Sequence, residues 1–442
     1  MKNSKIMVLV WGLLLTGSLI SGCGSKPDGP PALPEKPVNA RLDLGGLAYV
    51  KGGNLWVKEL PDGTAKQLTI DGDVTTPRWS PSGEWLLFQK KDQLWLTGPD
   101  GSEQRMVDGQ VYESAWSARE DVIFYASEKS GLASTRPDSG ESRVLIKPAP
   151  GTTYGRLVNS PDGRYIAFEM FRQPDPMTIK PQGVWKLDTD SGEVKPVYKA
   201  RPYTQNAMGT MPHLAGWSSD GKVIYLWVGP QSGSTTADGI PFTAVAADTG
   251  KPVLVGKAQP DALVYKTWFA AAPDPNRAAV ITGGGREAWT AKKLSVVDLR
   301  NNKITAVSGK DQAVSSYAIS PDGSALAYSA NPDQVAQGSS DDYSANAQRI
   351  MMQRKLWVVK PDGGSPRQLT NDNNYQDEYP VWTGQGDYIL FARFDKEDKT
   401  SLWMMGADGS NPKLVAEDIA PGSEWFGFYG YLDWSQAFDY HK

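Results

Sequence analysis

From Leu47 onward the chain alternates short apolar runs with turn-forming clusters. Trp85-Leu86-Leu87-Phe88, Tyr165-Ile166-Ala167-Phe168, Val223-Ile224-Tyr225-Leu226 and Ala325-Leu326-Ala327-Tyr328 are each too short for a helix. Their β-branched and aromatic content, bounded by Gly and Pro, reads as buried strands. Each follows a Ser-Pro-Asp-Gly theme: Trp79-Ser80-Pro81-Ser82-Gly83, Asn159-Ser160-Pro161-Asp162-Gly163, Trp217-Ser218-Ser219-Asp220-Gly221 and Ile319-Ser320-Pro321-Asp322-Gly323. Weaker copies begin at Trp116-Ser117, Ala272-Pro273-Asp274 and Trp382-Thr383-Gly384.

A second theme follows most of these. Leu55-Trp56-Val57, Leu94-Trp95-Leu96, Val184-Trp185-Lys186, Leu356-Trp357-Val358 and Leu402-Trp403-Met404 each lead into a turn such as Pro61-Asp62-Gly63, Pro99-Asp100-Gly101 or Pro361-Asp362-Gly363. Asp-Gly between strand-like runs predicts a hairpin, because Gly accepts positive φ and Asp bonds nearby backbone. A further strand follows, as in Lys66-Gln67-Leu68-Thr69 and Arg367-Gln368-Leu369-Thr370. Each unit therefore holds four antiparallel strands, A to D, and radial repetition of such units predicts an all-β propeller. The repeats number eight, with seven as the alternative if the weak unit around Ala272 is not a blade. Leu47 to Thr69 supplies strands B to D without a strand A, and Leu432-Asp433-Trp434-Ser435 supplies the missing one near the C-terminus. Their pairing would close the ring and remove exposed sheet edges.

These repeats resemble the TolB-like and WD40-like PD40 propeller repeats of bacterial periplasmic proteins, over nearly all of the chain after residue 40. The resemblance implies a protein-interaction platform, since TolB binds other envelope proteins. The chain differs by showing no obvious N-terminal α/β domain and by its larger blade count, so a role in the Tol system is not implied. The propellers of prolyl oligopeptidase-type enzymes are also similar, but those carry a separate hydrolase domain that fits no segment here.

The first segment reads as an address. Met1-Lys2-Asn3-Ser4-Lys5 is a positive start, and Ile6 to Ile20 is almost wholly apolar. That run of about 15 residues is short of the roughly 20 that a membrane span needs. Ile20-Ser21-Gly22-Cys23 resembles the lipobox of bacterial lipoproteins, which implies lipidation of Cys23 and removal of residues 1–22. Residues 23–40 carry Pro27, Pro30, Pro31, Pro34 and Pro37 and read as a semi-extended tether, leaving 41–442 for the propeller. A lipid-anchored protein on the extracytoplasmic face of a bacterial membrane is expected, with inner and outer membrane both open.

Composition narrows the chemistry. A net charge of -4 with dispersed Lys and Arg offers no footprint for nucleic acid. One cysteine and two histidines, His213 and His441, cannot assemble an ordinary zinc site, and neither metal nor cofactor is expected. The run 371–378, Asn-Asp-Asn-Asn-Tyr-Gln-Asp-Glu, looks like a calcium loop but lacks the glycine and spaced glutamate of an EF-hand. In the repeat family such a stretch, ending Asp-Glu-x-Pro-x-Trp, leads into strand A. No Gly-x-Ser-x-Gly elbow is present, and His213 reads as a loop residue in a D to A connection. Tryptophans and turn aspartates that recur at equivalent positions belong to blade architecture. No catalytic set stands out, and the chain reads as a non-enzyme.

In an antiparallel blade the A–B and C–D turns share one face, and the B–C and D–A connections share the other. The long insertions, 169–183, 199–216, 229–241, 283–293 and 329–355, all fall on the second face. Binding residues concentrate on long loops held by a rigid scaffold. The candidates are Phe171, Arg172, Tyr203, His213, Arg286, Glu287, Trp289, Asp341, Asp342, Tyr343, Arg349 and Arg354, with a short helix around Met351-Met352 covering the rim. The aromatic run Glu424 to Tyr431 also exceeds what a strand needs. Two functions remain open: a scaffold that binds an envelope protein through this rim, and a propeller that binds, hydrolyses or lyses glycans or peptides at its channel mouth. The competing reading is that these loops are only variable.

Overall fold

The computed structural model describes residues 44–175, 178–232, 237–254, 260–335, 340–420 and 429–442. Residues 1–22, expected to be a signal segment, Cys23, and residues 23–40, expected to be a tether, lie outside them. The described residues form eight four-stranded antiparallel sheets, each built from consecutive strands except the one that closes the ring. Blade 4 shows the plan: strand A is Thr152–Asn159, B is Tyr165–Asp175, C is Thr178–Asp188 and D is Val194–Lys199. The weak unit is a full blade 6, with strands Phe269–Ala271, Arg277–Thr282, Lys293–Asp298 and Lys303–Ala306.

The repeated residues have local work to do. In the Ser-Pro-Asp-Gly turns, Ser160 Oγ accepts the amide of Tyr165 at 2.9 Å and donates to Asp162 at 2.5 Å, while Gly163 adopts φ 69°. Ser218 and Ser320 repeat the arrangement. At the end of strand D, the hydroxyls of Thr69 and Thr370 accept the amides of Leu55 and Leu356 at 2.9 and 3.0 Å. The strand A tryptophans stitch blades together. Trp116, Trp217 and Trp382 donate from Nε1 to the carbonyls of Arg78, Val158 and Ala318 in the strand A of the preceding blade, at 3.2, 3.0 and 3.2 Å.

The core lies between neighbouring blades. Ala167, Val184 and Val197 of blade 4 pack with Leu214, Trp217, Ile224 and Leu226 of blade 5, all buried. The A strands run side by side around the axis. Six of them carry β-bulges, at Thr75/Arg78, Val111/Glu113, Gly155/Val158, Leu214/Gly216, Val314/Ser316 and Glu378/Val381. Bulges of this kind re-aim side chains, here those that face the axis.

Three expectations need correction. The ring does close between its ends, but Trp434–Gln436 is a 3-10 turn, and the closing strand is Phe438–His441, with Gly46 opposite His441 and Tyr49 opposite Phe438. The reason is local: the Asp433 side chain caps the turn by accepting the Ser435 amide, and the Trp434 indole is buried against Phe394 with Nε1 on Glu378. His213 lies within strand A of blade 5, Thr210–Trp217, opposite Trp227, and not in a connection. The insertion 169–183 is no irregular loop, because strands B and C of blade 4 continue through most of it as one long hairpin.

Candidate functional site

The face that carries the B–C and D–A connections is built up over blades 4 and 5. Gln231 binds the hairpin of blade 4 through Ile179 O at 3.1 Å and the following connection through Gly209 O at 2.9 Å. Arg201 N donates to Thr210 Oγ1 at 2.8 Å, which fixes the base of the 199–216 connection. Backbone that water would otherwise solvate is thereby paired, so the side chains it carries are held in place.

Apolar exposure is biased to this face. Among the described residues the large hydrophobic side chains open to solvent are Ile70, Met106, Tyr112, Val144, Ile179, Tyr203, Met208, Val335 and Leu414. Met106, Val144 and Leu414 lie on outer D strands. The other six lie on or beside B–C and D–A connections, led by Ile70 and Val335, with Tyr203 65% exposed. A cleft of about 780 Å³ on the same face is bounded by Tyr112, Glu128, the stretch Pro148 to Thr153, and Gln173 to Asp175. A second cleft, of about 1010 Å³, sits on the opposite face and is lined largely by the turns 384–388 and 404–413.

The sequence-named rim residues divide. Arg172 is exposed on the long hairpin, opposite Thr152 and Lys180. Tyr203 is among the most open side chains. Arg286 is partly exposed and held by Asp238, with Nε on Oδ1 at 2.6 Å and Nη1 reaching the Tyr429 hydroxyl at 3.5 Å. Glu287 is half-buried next to it. Arg349 is exposed on the helix α1 (Ser340–Met351), which is longer than the sequence suggests, and bonds Asn346 at 2.7 Å. The side chains of Asp341, Asp342 and Tyr343, and residues 424–428, lie outside what is described.

Two candidates are not on a surface. Trp289 is 0% exposed and packs under Ala347, Ile350 and Met351 of α1. Arg354 is 1% exposed, paired with Glu378, and donates to Asn331 Oδ1 at 3.4 Å and Gly430 O at 3.0 Å. Both anchor the rim and neither can meet a partner directly. The carboxylates of the 371–378 run are similarly engaged. Asp377 holds Arg393 at 2.6 Å, Glu378 holds Arg354, and Asp372 accepts the Asn374 amide. Among the described residues no group of three metal-ligating side chains occurs.

Sequence reading misses the axis. Tyr431 stacks on Tyr265 at 3.7 Å and 11°, and its hydroxyl meets Thr267 Oγ1 at 2.8 Å. Lys266, between blades 5 and 6, pairs with Glu113 of blade 3 at 2.5 Å. Arg156 reaches towards Glu113 and Tyr431, and around it lie Glu169, with His213 against that carboxylate, and Trp227. Burial alone would raise the Glu169 carboxyl, but His213, Arg156 and the Leu214 amide together hold it below its ordinary value, so it stays ionised. These residues come from blades 3, 4 and 5, from the connection between blades 5 and 6 and from the closing segment, and no local pattern joins them.

No family model matches the chain. Over 63 residues, 14% of this chain and 14% of the relative, it is 36% identical to the Tol-Pal system protein TolB 1 of Novosphingobium aromaticivorans. The matched stretch is thus a small part of that relative's length. Among solved structures it is similar to dipeptidyl peptidase 4 of Porphyromonas gingivalis, at 9% identity and TM-score 0.55, covering 83% of this chain and 56% of that one. A putative dipeptidyl aminopeptidase IV of Bacteroides ovatus aligns at 11% identity and TM-score 0.51, covering 85% and 58%. The chain spans little more than half of each, and at such identity the likeness is one of fold.

Proposed function

We propose that this TolB-like β-propeller is a lipid-anchored, extracytoplasmic binding module that holds an envelope protein against its B–C and D–A face. The carrying observation is the gathering of exposed apolar side chains on that face, with Ile179, Tyr203 and Met208 set on the cross-linked platform of blades 4 and 5. Scattered single hydrophobics need no explanation, whereas a one-sided set on a rigid support marks an interaction surface. Aromatic and aliphatic anchors of this kind supply most of an interface's energy. The anchor reading rests on the lipobox-like Ile20-Ser21-Gly22-Cys23 and the proline-rich stretch after it. Two acyl chains suffice for stable attachment.

The test is site-specific photo-crosslinking from the full chain in its own cells. A crosslinker at Tyr203 or Ile179 is expected to trap a discrete envelope protein, and one at Val144 or Leu414 on the outer strands is not. Replacing Ile179, Tyr203 and Met208 together by Ser is expected to weaken capture by at least about tenfold, the loss of one or two anchoring contacts. Equal adducts from both surfaces would sink the assignment. Cys23→Ser should abolish acyl labelling and release the protein from membranes; retention at wild-type levels would remove the anchor.

A further inference from the structure

The axis holds a cation that the described residues leave incomplete. Arg156 occupies the bulge of strand A in blade 4, in the left-handed region at φ 47°. Non-glycine residues adopt that conformation rarely, and when they do the surroundings hold them there. Its guanidinium lies 5.0 Å from the ring centre of Trp227 in blade 5, and it is attracted first by Glu169 of its own blade and then by Glu113 of blade 3 and Asp433 of the closing segment. Its head therefore reaches towards the centre of the ring. Arg156 is only 8% exposed, and Nη2 has no hydrogen-bond partner among the described residues. Burial lowers its pKa against the pull of the surrounding acids, as expected for a desolvated charge.

The nearby carboxylates attract Arg156, but their hydrogen bonds go to other groups. Glu169 takes the Leu214 amide on Oε1 at 2.8 Å and faces His213 Nδ1 with Oε2 at 3.5 Å. Glu113 is bound to Lys266, and Asp433 accepts the amide and hydroxyl of Ser435 at 3.2 and 2.5 Å. A buried guanidinium donor that finds no acceptor is costly even beside an ionised carboxylate. Two further nitrogens of the surrounding residues, Trp227 Nε1 and His213 Nε2, are buried without hydrogen-bond partners among the described residues. The indole is a donor only. With Nδ1 turned to Glu169, the imidazole Nε2 donates in its charged form.

We propose that Arg156, with Trp227 and His213 beside it, forms an axial binding site for a small carboxylate ligand. The guanidinium fork matches the two oxygens of a carboxylate, and the buried Trp227 ring beneath the guanidinium holds it in place. The site lies inside the ring and is independent of the rim.

The test is calorimetric titration of the detergent-solubilised full chain with four probes in two pairs, plus inorganic phosphate. Trialanine against trialanine amide reads a peptide-borne carboxylate, and glucuronate against glucose reads a sugar-borne one. At least one acid is expected to bind with a Kd of about 1 mM or tighter, its partner without the carboxylate at least about tenfold more weakly. Arg156→Gln should lose about tenfold, and Arg156→Lys, which keeps the charge without the fork, should fall between. Trp227→Phe keeps the ring and removes the donor, so it is expected to weaken binding severalfold while thermal unfolding reports an intact fold. The rim triple substitution should leave the Kd unchanged, which separates this site from the rim. Binding of neither acid, binding of phosphate alone, or undiminished affinity in folded Arg156→Gln would each overturn it.

Discussion

Lys292 shows how one residue can set a pH dependence. It is fully buried, and Nζ donates to the carbonyls of Gly284, Gly285 and Thr290 at 2.9, 3.0 and 3.1 Å. Burial pulls its pKa down from 10.5 to about 8, against the weaker pull of Glu287 and Asp333. Between about 8 and 10.5 the unfolded chain keeps this proton while the folded chain gives it up, so stability contributed here rises with pH. Below that window both states are charged, and the folded state bears the full burial cost. Denaturant unfolding of wild type and Lys292→Met should therefore diverge from pH 7 to pH 10, wild type gaining about 1–3 kcal/mol on the variant. The tyrosines that titrate abnormally are common to both and cancel. Parallel stability curves would remove the assignment.

At the scale of the element, the turn serines decide whether strand B begins where it does. Ser160 is fully buried, and its hydroxyl is the acceptor for the Tyr165 amide. Ser160→Ala leaves that amide unpaired and should cost about 1–2 kcal/mol in denaturant unfolding, whereas Ser139→Ala in an exposed turn should cost under about 0.5 kcal/mol. Equal effects at the two sites would mean the hydroxyl is not what fixes the strand. The same local chemistry explains why the blades are legible in the chain. Ser, Asp and Gly act within five residues of one another, so their spacing records the turn directly. The long hairpin of blade 4 was not legible, because nothing in Phe171 to Lys180 distinguishes a paired extension from a loop until Thr152 and Thr153 pair with it. His213 escaped for a similar reason: its neighbours in sequence look like a connection, and only Trp227 opposite makes it strand.

At the scale of the molecule, stability depends on closing the ring. The last strand pairs with Gly46 to Tyr49, Tyr440 donates its hydroxyl to Leu44 O at 2.7 Å and accepts the Gly384 amide at 2.9 Å, and Asp439 accepts the Trp79 amide at 2.8 Å. Removing Phe438 to Lys442 should leave the inner edge of blade 1 unpaired. Light scattering after size exclusion is expected to show association, and thermal unfolding should move down by several degrees. A monomeric truncation of unchanged stability would refute closure as a source of stability. The sequence by itself determined the blade plan, the strand order and the joining of the two ends, since these follow from short-range turn chemistry repeated along the chain. Only the tertiary structure decided which rim residues are surface and which are anchors. Arg354 and Trp289 look like exposed loop residues until Glu378 and α1 cover them. It alone assembled Arg156, Glu169, His213 and Trp227 at the axis, because residues that meet through blade packing leave no common spacing in the chain.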